Sequence, residues 1–195
     1  MKLNQSFYER SDVVLIARQL IGKQLVSNVD GVITSGLIVE TEAYSWKEKG
    51  CHAYANRRTA RTEVMFATGG VAYVYLCYGM YNLFNIVTNK KDKAEAVLIR
   101  ALQPLKGIEH MRARRGKVKD NQLSSGPGKL TQALGISRKH NGIHLHDEHL
   151  WIEEGIKVKA AAIVASPRIG IDYAGEDANL PWRFYLRDNI WISKK

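Results

Sequence analysis

Apolar positions recur at helical spacing only near the start of the chain. In SDVVLIARQLIGK, Val13, Ile16, Ala17 and Leu20 fall three or four residues apart, with Ser11 placed to cap the first turn and Gly22 to stop the last. The pattern then changes to short apolar runs and alternation. Strands are predicted at 23–28 and 32–41, joined through VDG, the second running directly into ETEAY. Residues 43–62 read as polar, basic and irregular. Residues 71–77 and 81–88 read as two arms of a hairpin, and 94–102, AEAVLIRAL, as a third strand. Pro104 is placed to open a helix to about Arg114, and SGPGKLTQALG predicts a loop entering a short helix that stops at Gly135. IKVKAAAIVAS and WRFYLRD predict closing strands. Strands outnumber helices and neighbours are hairpin-connected, so a mixed, largely antiparallel sheet with helices packed around it is expected.

Composition narrows the class. With 195 residues, 45% of them hydrophobic, the chain can bury one substantial core. Its longest apolar runs are far too short to span a membrane, the start MKLNQSFYERSD lacks an apolar export stretch, and Cys51 and Cys77 suggest no disulfide framework. These features predict a cytoplasmic protein without membrane attachment. Charge adds a partner: 29 Lys and Arg against 19 Asp and Glu give a formal +10, which favours a polyanion through counterion release. MRARRGKVK, residues 111–119, carries five cations and no carboxylate, and no acidic residue occurs from Met65 to Lys91. Nucleic acid fits better than membrane, because no basic helix with a wide apolar face is present in the pattern.

Three constellations could carry chemistry. HLHDEH offers His144, His146 and His149 as metal ligands, but Glu148 stands where the H-x-H-x-D-H pattern needs Asp and no histidine follows His149. In IVETEAY, Glu40 and Glu42 lie two apart on one strand face, with Tyr44 next in that series. Arg100, inside the apolar VLIRAL, needs an anionic partner, and Glu42 is a candidate. Finally, YVYLCYGMYNLFN places Tyr78, Gly79, Met80 and Tyr81 at a hairpin tip inside the carboxylate-free window. A ring exposed there on a basic protein has the form of a wedge for a base stack.

The ordered set FYERSDVVLIARQLIGKQL, ETEAY, YVYLCYGMYNLFN, VLIRAL, SGPGKLTQALGI, RIGIDYAG and PWRFYLRD resembles the alkyladenine (3-methyladenine) DNA glycosylases, the single-domain type without a helix-hairpin-helix. The resemblance implies an α+β fold: one domain over residues 1–195, with a largely antiparallel curved sheet, surrounding helices and a protruding β-hairpin. It implies a monofunctional, monomeric glycosylase that needs no metal or other cofactor and takes duplex DNA containing alkylated or deaminated purines. Glu42 then matches the base that activates water, Arg100 a residue that positions that water, and Ile169 one whose main-chain carbonyl holds it. Tyr44, His52 and Tyr75 match the walls around a flipped base, Tyr78 the plug of the vacated space, and Asn85 a residue that discriminates against guanine. Gly79, Met80 and Tyr81 complete the tip, while Arg57 and Lys129 are expected at the DNA. A metal-dependent hydrolase using the histidines and a non-catalytic architectural DNA-binding protein remain the alternatives.

One register constraint follows. A two-residue turn at Gly79–Met80 would pair Tyr75 with Phe84 and send Asn85 to the opposite face, so a shared pocket requires a longer turn or a bulge.

Overall fold

A computed structural model describes residues 1–194. The chain opens with a single helical turn, α1 (Gln5–Tyr8), and then α2 (Val13–Leu20), whose Val13, Ile16, Ala17 and Leu20 are all buried as the spacing predicts. Its cap is Asp12 rather than Ser11. The Asp12 carboxylate accepts from the Leu15 amide, satisfying a first-turn donor and placing negative charge at the helix start.

Two strands follow, β1 (Gln24–Val29) and β2 (Val32–Ser45). The irregular stretch therefore begins after Ser45, because ETEAY stays paired in the sheet. Then come the hairpin β3 (Ala72–Cys77) and β4 (Tyr81–Thr88), and the long β5 (Glu95–Lys106). Helix α3 (Ile108–Arg115) starts after Gly107, not at Pro104. Leu102 already turns its amide away from β2, to the Ser124 carbonyl, and Pro104 is two residues farther along the same strand. A residue without N–H therefore costs β2 no ladder bond. Helix α4 (Pro127–Leu134) has Pro127 in its first turn and ends at Gly135, which takes φ 72°. The remaining strands are β6 (Leu150–Glu153), which the sequence reading did not anticipate, β7 (Ile163–Ser166) and β8 (Arg183–Leu186). Only the end of IKVKAAAIVAS is strand, since its first half does not reach a pairing partner.

The sheet is antiparallel throughout, in the order β3-β4-β5-β2-β1-β6, with β8 joining β2 and β7. The middle strand, β2, has β5 along one side; on the other, β1 covers its first half and β8 covers Glu40–Glu42. One face of the sheet buries Val74, Phe84, Ile86, Val97 and Ile99 against α2, α3 and α4. The opposite face supports a second, smaller core under the 46–70 segment, containing Cys51, Ala53, Met65, Phe66, Tyr73, Val87 and Ala96. A cavity of about 730 Å³ opens on this second face. No helix is long and apolar enough to cross a membrane among the described residues.

Candidate active site

The cavity floor is a period-two reading of the sheet. Tyr73 pairs with Asn85, Asn85 with Leu98, Leu98 with Glu42 and Glu42 with Arg183, one row across five strands. Their neighbours two residues along, Tyr75, Leu83, Ala96, Arg100 and Tyr44, point to the same face. Tyr44, Tyr73, Tyr75, Leu83, Asn85, Ala96, Leu98 and Arg100 all line a cavity of about 730 Å³. The hairpin has the register this requires: Cys77 pairs with Tyr81 and Tyr75 with Leu83, leaving a three-residue turn at Tyr78–Met80. Tyr78 and Gly79 take φ 50° and 70° there. The odd turn length keeps Tyr75 and Asn85 on one face.

Glu42 is fully buried beneath this floor, under Tyr44, Arg100 and Ile169, which line the cavity. Its Oε2 accepts from Arg100 Nη1 at 3.1 Å and from the Tyr44 hydroxyl at 2.8 Å; its Oε1 accepts from the Ile169 amide at 2.7 Å. An ionised carboxylate oxygen takes two strong donors, so Oε1 retains one acceptor direction. Burial, then the Glu42 charge beside it, pushes the Tyr44 phenol well above its ordinary value, so it remains a donor. Burial opposes the Arg100 charge, but Glu42 and then Glu40 outweigh it and hold the guanidinium above its usual value.

Glu40 has a different environment. It accepts from Arg183 at 2.8 Å, from Arg100 Nε at 3.3 Å, and from the Ser193 amide and hydroxyl at 2.6 and 2.9 Å. Both glutamates thus share Arg100. Neither carboxylate lines the cavity itself: Glu42 lies beneath it, bonded to Tyr44, Arg100 and Ile169 of the lining, whereas Glu40 is turned toward Arg183 and Ser193, which are not part of that lining.

Segments distant in sequence close the cavity. His52, Arg61 and Met65 come from the 46–70 segment, and Ile169, Gly170, Ile171 and Tyr173 from the turn after β7. His52 and Tyr75 meet edge to face, ring centres 4.6 Å apart, and form one continuous wall rather than two sides of a slot. His52 Nδ1 lies 3.0 Å from the Tyr73 hydroxyl, and Arg61 Nη2 lies 3.3 Å from Nε2. Burial, then Arg61, lowers the His52 pKa to about 4, so the ring is neutral at pH 7. Behind Tyr44 stands Arg168, its guanidinium 4.8 Å from the ring centre and paired with both Glu48 oxygens at 2.7 and 2.8 Å. It also donates to the Ala43 carbonyl, thereby fixing the turn that presents Ile169 to Glu42. Tyr73 could have been read from its parity with Tyr75. Glu48, Arg61, Arg168 and Tyr173 carry no local signal in the sequence.

The mouth is basic. Lys129 and Arg115 border it with Gly126, Pro127 and Gly128 of the α4 start. Burial and then Arg115 lower the Lys129 pKa, and burial lowers that of Arg115. Lys129 donates to Gln122, and Arg115 to Gln132, so neither charge meets a carboxylate. Gly128 fits against Tyr81, where an added Cβ would lie 3.0 Å from the Tyr81 Cβ. At the hairpin tip Tyr78 and Met80 are 85% and 69% exposed. Arg57 lines a separate cavity beyond His52, not the one above Glu42. His144, His146 and His149 are exposed; His146 bonds to Gln5 and His149 to Asp147. Among the described residues no three His, Cys, Asp or Glu side chains converge as a metal site.

Comparison with known proteins gives one family. The family model described as methylpurine-DNA glycosylase matches residues 6–190. A protein of Clostridium perfringens (strain 13) is 45% identical over 206 residues, covering all of both chains. One of Bacillus cereus (strain G9842) is 46% identical over 206 residues, again covering both completely. A third, from Natranaerobius thermophilus, is 46% identical over 198 residues and 99% of each chain. All three carry the provisional name 3-methyladenine DNA glycosylase.

Proposed function

The chain belongs to the methylpurine-DNA glycosylase family, and on that premise we propose that it draws a damaged purine out of duplex DNA into the cavity above Glu42 and hydrolyses its N-glycosidic bond. The observation that carries this reading is the buried Glu42 carboxylate, held by Arg100, Tyr44 and Ile169 beneath an aromatic-lined cavity with a basic mouth.

In this mechanism water lies against the open direction of Glu42 Oε1, close to the Ile169 main chain. Glu42 takes its proton as the oxygen attacks C1′, and its charge stabilises oxocarbenium character on the sugar. The electron pair of the breaking C1′–N bond leaves with the base. A purine alkylated at N3 or N7 is already cationic and departs without a general acid; a deaminated purine such as hypoxanthine has a poorer leaving group and depends more on the site. Tyr44 forms one wall for the base and the His52–Tyr75 pair the other. Tyr78, exposed on a three-residue turn, fills the gap left in the stack. Lys129 and Arg115 meet phosphates at the mouth.

The test is release of free base from methylated duplex DNA in excess EDTA. A glycosylase of this mechanism keeps its activity. A metal-dependent hydrolase would stop, and an architectural DNA-binding protein would release nothing.

A further inference from the structure

Two arginines stand beside the two walls of the base cavity, but their charges are not equivalent. Arg168, beside Tyr44, is neutralised by its two bonds to Glu48. Arg61 lies over Tyr75, its guanidinium carbon 5.1 Å from the ring centre, and bonds to His52 Nε2. Among the described residues it has no carboxylate within ion-pair distance. Guanidinium only donates, so Nε2 must accept; the single proton of neutral His52 then sits on Nδ1 and faces the Tyr73 oxygen.

We propose that Arg61 is a specificity-determining positioning residue, which fixes the neutral His52 with Nδ1 protonated and places uncompensated positive charge beside Tyr75, so that it weakens binding of cationic alkylated purines relative to neutral damaged ones. This rests on the reading above. Arg61 lies 5.1 Å from the Tyr75 ring centre, so a base stacked on the other face of that ring, about 3.5–4 Å farther on, has its charge about 8–9 Å from the guanidinium. At an effective dielectric near 20, like charges at that distance shift an equilibrium by about 30-fold, and the exposure of Arg61 reduces this to about tenfold. Cationic bases still react, because their chemical step is intrinsically easy. The discrimination lies in binding.

The experiment compares wild type, Arg61→Met and Arg61→Lys on duplexes that carry 7-methylguanine or hypoxanthine. Single-turnover rate and half-saturating enzyme concentration are measured for each. Arg61→Met is expected to tighten binding of the 7-methylguanine duplex relative to the hypoxanthine duplex by about tenfold, and Arg61→Lys to restore the wild-type ratio. A ratio unchanged within twofold overturns the proposal. So does an equal weakening on both duplexes with a salt slope about one unit smaller, which would mark Arg61 as a phosphate contact instead.

A second readout needs no activity. The groups facing His52 are Arg61, Arg57, Tyr73, Tyr75, Tyr173 and Cys51, and of these only the two arginines are charged at neutral pH. The His52 imidazole titration, followed by NMR in the free protein, should move upward by about one unit in Arg61→Met. An identical titration overturns Arg61's hold on His52 even if folding or turnover of the variant is impaired. If wild type releases neither base, the glycosylase reading fails, while this titration still decides the role of Arg61.

Discussion

Replacing Glu42 by Gln separates shape from basicity. The side chain keeps its size, but the amide must set an NH2 where an oxygen now accepts. At the Oε2 position it would face Arg100 Nη1 and the Tyr44 hydroxyl; at Oε1 it would face the Ile169 amide. The second orientation loses fewer bonds and leaves the NH2, not an acceptor, toward the attacking water. A lost hydrogen bond to a charged group costs roughly 2–3 kcal/mol, which for a domain of this size lowers Tm by roughly 4–12 °C. Loss of general-base assistance lowers the single-turnover rate by about 10²–10⁴-fold. Binding of lesion duplex should weaken by no more than about tenfold, since only one charge near the base is removed. Thermal denaturation, a binding titration and single-turnover release of 7-methylguanine measure the three quantities. A rate within threefold of wild type in a folded variant would refute the assignment. Glu40→Gln is the control: four donors hold that carboxylate away from the cavity, so it should lower Tm with a much smaller effect on rate.

Removing the exposed ring in Tyr78→Ala deprives the vacated stack of its filler, worth something like 1–3 kcal/mol. Excision from duplex should fall far more than excision of an unpaired lesion, and equal losses would exclude a plugging role. Asn85 donates its amide N–H to the Tyr73 carbonyl at 3.2 Å, which fixes the side chain in the cavity lining. Asn85→Ala or Asn85→Ser should raise release of undamaged guanine relative to hypoxanthine, because the 2-amino group no longer meets a fixed wall; an unchanged ratio in single turnover would remove Asn85 from selectivity. His52 contributes a pH dependence of stability. Its pKa falls from an ordinary 6.5 to about 4 on folding, so the unfolded chain binds the extra proton and the contribution is lost as pH drops from 6.5 to 4, by roughly 3 kcal/mol. Denaturant midpoints at pH 7 and pH 4 should therefore differ less in His52→Gln than in wild type, and identical differences would contradict the neutral, half-buried histidine.

The sequence by itself determined much of the sheet and the centre of the site. Alternation in YVYLCYGMYNLFN and VLIRAL fixed which side chains share a face, and with Arg100 inside an apolar strand it pointed to the Glu42 partnership found at 3.1 Å. Given the shared pocket that the family resemblance implied, side-chain parity required a turn longer than two residues, and the three-residue turn puts Tyr75 and Asn85 on one face. These relations are local, or link neighbouring strands, so a period of two is enough to state them. Tertiary structure decided what covers that face. Glu48 and Arg168 meet across 120 residues, Arg61 reaches His52 from a segment without regular periodicity, and Ile169 approaches Glu42 from 127 residues away. The same holds for the two glutamates. Spacing made Glu40 and Glu42 equivalent, whereas β8 and Ser193 cover the first and leave the second beneath the cavity. Long-range packing selects which segment buries each charge, and a buried charge must find its partner wherever the fold brings one; no repeat in the sequence encodes that choice.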